Sequence, residues 1–302
     1  MSGKLSGVDI GFIGLGLMGR AMAEHLSDAG ANLVIHNRSR AVVDELTESG
    51  AMIAAGSPAE VAEKIAAGFI VMCLTQTASV EAVMEGAGGL LEKVAAGALV
   101  LDMGTTAVKA TRCFDAALRE RGASLVDAPV SGGQGGARAA SLSIMAGGSQ
   151  EDFERALPVF QVMGKRITHM GASGAGQVTK MANQMIVAQT IDAVAQALTI
   201  ARANGVDPGL VREALMGGFA DSRILTEHGE RMVKGDFEPG GRAECQLKDV
   251  REGRDLMEQS GLDFQMLRRN LENWEDMVDQ GDGGLDHSAL IRLYERVIGN
   301  AR

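Results

Sequence analysis

Short apolar runs bounded by glycine and polar residues recur through the first part of the chain. They lie at Val8–Ile13, Asn32–His36, Gly68–Leu74, Ala98–Asp102, Ser124–Asp127, Leu142–Ala146 and Arg166–His169. Their length and flanking turn residues predict strands. Between them apolar positions recur at helical spacing, as at Ser57–Ala66 and Val108–Arg121. Strand alternating with helix implies an α/β fold with a doubly wound parallel sheet, whose ligands bind at the carboxyl ends of the strands. At Gly171-Ala-Ser-Gly-Ala-Gly176 the pattern changes. Gln177 to Asn204 reads as one long helix, apolar on most faces and so expected to be buried. Helical periodicity continues at Pro208–Met216, Ser222–Val233, Ala243–Ser260, Phe264–Gln280 and His287–Ile298, with no further strand pattern.

The first predicted strand runs into Gly14-Leu-Gly16-Leu17-Met18-Gly19, a G-x-G-x-x-G spacing followed by a helix-compatible run, Ala21–Ala29. In that context Gly14 allows a tight turn, Gly16 lets a pyrophosphate approach the backbone, and Gly19 lets helix and strand pack closely. The phosphates would sit on N–H groups at the positive end of the helix, with Leu17 and Met18 in the same cradle. The expectation is therefore a Rossmann-type domain over residues 1–172 and an all-α C-terminal domain over residues 173–302, joined through the long helix. A length of 302 residues suits two domains. The long helix, with its small-residue face, is expected to support a homodimer or homotetramer.

The loop alone does not separate nicotinamide from flavin dinucleotides. Within the nicotinamides, the end of the second strand discriminates: a carboxylate accepts from a ribose hydroxyl, whereas an Arg favours a 2′-phosphate. Here it reads His36-Asn37-Arg38-Ser39-Arg40, with no acid before Asp44. Asn37, Arg38 and Ser39 become candidate cofactor contacts, with NADP preferred and NAD possible. The alternative is that Arg38 and Arg40 are solvated charges at a helix start.

Two further segments carry polar chemistry. Asp127-Ala-Pro-Val-Ser131-Gly132-Gly133 follows a strand. A hydroxyl beside unobstructed backbone N–H groups can form an anion-binding concavity, although a Ser-Gly-Gly loop can equally be a plain turn. Lys180, Asn183 and Gln184 lie at i, i+3 and i+4 near the start of the long helix, on one face. A lysine there can give a proton to an oxyanion or can simply be solvated.

The bulk numbers narrow the partners. A net charge of −10 argues against nucleic acid, which needs a basic face, but not against a small anionic substrate. The 3 cysteines form no C-x-x-C pair, which suits a reducing compartment. No run approaches about 18 apolar residues, so no membrane partner and a soluble, cytoplasmic protein are expected. The 5 histidines lack ligand spacing, so no metal is expected. His287 is read as part of a helix start capped by Asp286.

Together, Gly11–Gly19, Asp127–Gly133, Gly174–Gln184 and Lys248-Asp249 resemble the β-hydroxyacid dehydrogenase family, nearly end to end. The resemblance implies reversible hydride transfer between a nicotinamide and a small carboxylate-bearing 3-hydroxy or 3-oxo acid. It implies that Lys180 is the catalytic acid/base and that Ser131, Gly132 and Gly133 hold the substrate carboxylate. It implies that Asn183 and Gln184 order substrate hydroxyls or Lys180, that Leu74, Thr75 and Thr105 line the cofactor, and that Lys248 lies near cofactor and substrate. The chain departs from the family pattern at Pro239-Gly-Gly241, where an aromatic residue usually follows Pro-Gly, so a wider pocket is expected. It departs again at Ala140-Ser-Leu142 and Phe264-Gln-Met-Leu267. A non-catalytic nucleotide-binding module is the rival of another class; relatives of that kind lack the lysine, and so do the related imine reductases.

Overall fold

The computed structural model describes residues 3–48 and 50–300. The chain forms two compact units, residues 1–180 and 181–302. The first opens with β1 (Asp9–Ile13), α1 (Gly19–Asp28), β2 (Asn32–His36), α2 (Arg40–Thr47), β3 (Met52–Ala54), α3 (Pro58–Ile65), β4 (Phe69–Met72) and α4 (Thr77–Glu85). It continues with β5 (Leu99–Asp102), α5 (Val108–Arg119), β6 (Ser124–Asp127), β7 (Val130–Ser131), α6 (Gly133–Arg138), β8 (Leu142–Gly147), α7 (Gln150–Met163) and β9 (Gly164–Gly171). Helix α8 (Ala175–Ala203) runs through the boundary between the units.

The sheet order is β3-β2-β1-β4-β5-β6-β8-β7, with β9 paired to β8. Strands β1 to β6 are parallel, so both their faces are covered and their sequences read as unbroken apolar runs. Ile10, Phe12, Val71, Leu99 and Leu101 pack with Met22 of α1 and Phe160 of α7 on one face. The alternate positions Ile13, Ile70, Met72 and Val100 pack with Val61 of α3 and Phe114 of α5 on the other.

The expectation of a wholly parallel sheet needs one correction. Strand β8 runs antiparallel to β6 and β7, and β9 is parallel to β8. Between Ser131 and Leu142 there is room only for the six-residue α6, too short a path for the crossover that a parallel strand needs. Strands β3 and β7, of three and two residues, lie below the length at which alternation is readable.

The second unit adds α9 (Pro208–Leu215), α10 (Arg223–Lys234), α11 (Ala243–Gln259), α12 (Gln265–Met277) and α13 (Ile291–Asn300). Leu198 of α8, Leu225, Leu247, Val250, Leu271 and Trp274 form its core. The helix predicted over Phe264–Gln280 is α12 to Met277 and then a π turn, Val278–Asp282, in which Gly281 takes φ 89°. The last predicted helix divides into a 3₁₀ turn, His287–Leu290, and α13. The Asp286 carboxylate caps that turn through Ser288 N at 3.0 Å, and accepts from Gly240 N at 3.0 Å and Arg231 at 3.1 Å. Among the described residues no helix is long and apolar enough to cross a membrane.

Candidate active site

Three glycines at the end of β1 have three different reasons to be glycine. Gly14 takes φ 101°, and a Cβ there would lie 2.4 Å from the Cys73 carbonyl oxygen. A Cβ on Gly19 would lie 1.9 Å from the Gly14 carbonyl oxygen, so only glycine lets α1 start against the strand. A Cβ on Gly16 would meet nothing within 4 Å, which leaves open space in front of the backbone. The N-terminus of α1 has no side-chain cap at Met18 and no acid in its first turn, and Leu17 is 68% exposed. An uncapped helix N-terminus beside open space fits a dinucleotide pyrophosphate.

Residues at the end of β2 divide in role. Gly14 N donates to the His36 carbonyl at 3.1 Å, and Leu15 N donates to Asn37 Oδ1 at 3.0 Å. Asn37 thus braces the glycine loop. Arg38 and Ser39 are exposed. Arg40 is tied to Asp44 at 2.7 Å, whereas no carboxylate pairs with Arg38 among the described residues. Half-buried Leu74 and exposed Thr75 follow β4. A Cβ on Gly104 would lie 2.4 Å from the Leu74 carbonyl oxygen, so that glycine brings the loop of Thr105 against the end of β4.

The start of α8 is held by a buried carboxylate. Asp127 Oδ1 accepts from Gly174 N at 2.7 Å and Oδ2 from Gln177 N at 2.8 Å. Burial pushes its carboxyl up to about 7; the two amide bonds oppose that and the nearby Asp102 charge adds to it. Gly176 permits the contact, since a Cβ there would lie 2.3 Å from the Met145 carbonyl oxygen. Lys180, 9% exposed, sends Nζ to the Val130 carbonyl oxygen at 2.9 Å. Val130 immediately precedes Ser131, Gly132 (φ 137°) and Gly133 (φ 59°), and a Cβ on Gly133 would meet open space. Two segments fifty residues apart in sequence therefore converge, a proton-bearing amine beside a turn of backbone amides and a hydroxyl.

Asn183 and Gln184 follow on α8. Asn183 Nδ2 donates to Gln184 Oε1 at 2.7 Å, and Gln184 Nε2 donates to Asp249 Oδ2 at 2.5 Å. The Gln184 amide is thus engaged by α11. Lys248 Nζ lies 2.9 Å from Asp249 and 3.4 Å from Glu252. Burial works against its charge, but the two carboxylates outweigh it and hold the ammonium above the usual lysine value. Gly241 does not open the pocket where the family's aromatic is missing. A Cβ there would lie 2.9 Å from the His287 imidazole, which already fills that direction. Burial pulls His287 down to about 4 despite the Asp286 charge, and its ring packs edge-on against Trp274.

An uncapped glycine-loop helix at the carboxyl edge of a parallel sheet defines a dinucleotide-binding Rossmann fold. Residues 9–171 match the family described as the NAD binding domain of 6-phosphogluconate dehydrogenase. Residues 174–294 match the NAD-binding family of NADP-dependent 3-hydroxyisobutyrate dehydrogenase. The chain is 41% identical to 2-hydroxy-3-oxopropionate reductase of Escherichia coli, covering 95% of this chain and 97% of that one. It is 34% identical to 3-hydroxyisobutyrate dehydrogenase of Pseudomonas aeruginosa, over 95% and 98%. A structure of Mycobacterium tuberculosis 3-hydroxyisobutyrate dehydrogenase with L-serine superposes with a TM-score of 0.85 at 26% identity, over 94% and 98%. The chain belongs to the β-hydroxyacid dehydrogenase family and is an NAD(P)-dependent oxidoreductase.

Asp127, Gln177 and Asp249 carry no assigned role in the sequence reading, yet the first two organise the start of α8 and the third holds Gln184. Their only signal is a polar residue in an apolar setting, which says that a partner exists but not which one.

Proposed function

We propose that the enzyme reversibly reduces a small 3-oxo acid to the 3-hydroxy acid with NADPH, and that this acid is 2-hydroxy-3-oxopropionate (tartronate semialdehyde). The observation that carries the chemistry is the bond from Lys180 Nζ to the carbonyl of Val130, directly before Ser131-Gly132-Gly133. The substrate assignment is supported by the 41% identical reductase.

When bound, the reduced nicotinamide supplies the hydride. Gly14, Gly16, Leu17 and Met18 would hold its pyrophosphate, and Arg38 with Ser39 its 2′-phosphate. Leu74, Thr75 and Thr105 would line the rest. Ser131 Oγ and the amides of Gly132 and Gly133 hold the substrate carboxylate and so fix the carbonyl carbon. As a C–H bond forms at that carbon, Lys180 gives a proton from Nζ to the carbonyl oxygen, and in the reverse direction takes it back. Proton transfer of this kind contributes about 10²–10⁴-fold. The family resemblance assigns Asn183 and Gln184 to substrate hydroxyls or to Lys180, and Lys248 to the neighbourhood of cofactor and substrate. Exposed Ile186 and Ile200 on α8 support a homo-oligomer, which light scattering would measure.

A second substrate reading, 3-hydroxyisobutyrate or another semialdehyde such as sulfolactaldehyde, draws on the 34% identical dehydrogenase. A panel of these acids assayed with both cofactors separates the two. In the same panel Lys180→Ala is expected to bind NADPH normally and to lose about 10²–10⁴-fold in kcat. Turnover near the wild-type rate would remove Lys180 from the mechanism.

A further inference from the structure

We infer that Gln177 is the positioning residue that sets the nicotinamide side of the site against its proton donor; this rests on the proposed function. Its side chain is fully buried. Oε1 accepts from Thr106 N at 3.1 Å and Nε2 donates to the Gly104 carbonyl at 3.0 Å. Those two backbone groups flank Thr105. On the other side of the same loop, Asp102 accepts from Thr106 Oγ1 at 2.6 Å and from Gly104 N at 3.1 Å. The residue proposed to contact the nicotinamide is therefore clamped from two directions.

The same glutamine belongs to the helix that carries Lys180. Its backbone N–H is one of the two amides held by Asp127, at 2.8 Å. Lys180 follows three residues later, about 4.5 Å along the helix axis and on nearly the same face. One side chain thus locks the end of β5 to the first turn of α8, while Asp127 locks that turn to β6. Only a primary amide of this length suits the position, because one arm must accept from an N–H and the other must donate to a carbonyl. Glutamate lacks the donor, leucine lacks both groups, and asparagine is a methylene short. Hydride transfer depends on near-attack geometry, in which a misplacement of about 1 Å costs about 10²-fold.

Gln177→Glu and Gln177→Leu in the full chain test this. The readouts are kcat, KM, the NADPH Kd from cofactor fluorescence, and the primary isotope effect with deuterated reduced cofactor, from about pH 5 to about pH 8. Gln177→Glu is expected to keep its NADPH Kd within about twofold and to lose about 10²-fold in kcat at the upper pH. Its activity should recover towards the lower pH, where the carboxyl takes a proton and regains a donor for Gly104. Gln177→Leu should show the loss without the recovery. In both, the isotope effect should rise towards its intrinsic value as the chemical step becomes limiting. Wild-type kcat in Gln177→Glu across the range would overturn the inference. So would a kcat loss that tracks cofactor affinity and shows no pH recovery. If neither variant folds, Gln177→Asn keeps both amide groups a methylene short of Thr106 N and the Gly104 carbonyl; a kcat and an isotope effect both unchanged from wild type would then overturn it. A wild-type enzyme inactive on every hydroxy acid would instead sink the proposed function, whereas an active wild type with unaffected variants sinks only the role of Gln177.

Discussion

The buried Asp127 makes a pH-dependent contribution to stability whose sign is opposite to that of a salt-bridged carboxylate. The group is fully buried, and its carboxyl is pushed from an ordinary value of 3.8 up to about 7. The folded chain therefore keeps a proton there that the unfolded chain has already released. Through that window the folded state binds more protons, so stability falls as pH rises from about 4 to about 7 and is level above. At about 1.4 kcal/mol per tenfold change in the proton equilibrium, the total is roughly 4 kcal/mol. Asp127→Asn removes the titration. It keeps an acceptor for one of the two amides of Gly174 and Gln177 and turns an N–H against the other, at a cost of about 1–3 kcal/mol that does not depend on pH. The variant should be the less stable protein at about pH 5 and should close or reverse the gap by about pH 8. About 2.7 kcal/mol of that total falls between pH 5 and pH 8, and for a unit of this size roughly 2–4 °C per kcal/mol turns it into about 5–11 °C of relative Tm. Thermal unfolding of both proteins at the two pH values and one ionic strength measures it. Parallel profiles, with the gap constant to within about 1 °C, would refute the buried-acid argument.

Arg38→Ala should lower the preference for NADPH over NADH by about 10-fold or more, the worth of one charge-assisted bond, as read from kcat/KM with each cofactor; an intact preference would move 2′-phosphate recognition elsewhere. Gly176→Ala and Gly16→Ala should behave oppositely. The first puts a Cβ 2.3 Å from the Met145 carbonyl oxygen and should lower Tm sharply, whereas the second enters open space and should leave Tm alone while raising the NADPH Kd. His287, pulled down to about 4 from 6.5, stays neutral in the fold while the unfolded chain takes up a proton. Its contribution to stability is complete above about pH 6.5 and is lost as pH falls towards about 4, so His287→Phe should flatten the acid side of a Tm profile; an unchanged acid limb would assign that loss to other groups.

The central strands were legible because each is buried on both faces. Ile70 and Val71 are both apolar although they point to opposite helices, so the run carries its own boundary signal. Helix starts were legible where a side chain makes them: Ser57 accepts from Glu60 N at 3.2 Å ahead of Pro58, and Ser222 accepts from Leu225 N at 3.0 Å. The reversal at β8 was not legible, because strand direction depends on how the preceding loop folds back, and that loop has no periodicity. The wide pocket expected at Gly241 failed for a similar reason. An absent side chain in the sequence does not say that a residue 46 positions away, His287, has taken the space.

The sequence by itself determined the α/β class, the phosphate loop and the residue types available for chemistry, since these follow from local spacing and from what a glycine or a lysine can do. Only the tertiary structure decided the partners. It gave Lys180 the carbonyl of Val130, gave Gln177 the two sides of Thr105, and turned Gln184 to Asp249. A buried polar group must find a partner, but many would satisfy it, and the choice is made by how strand ends and helices pack rather than by any pattern along the chain.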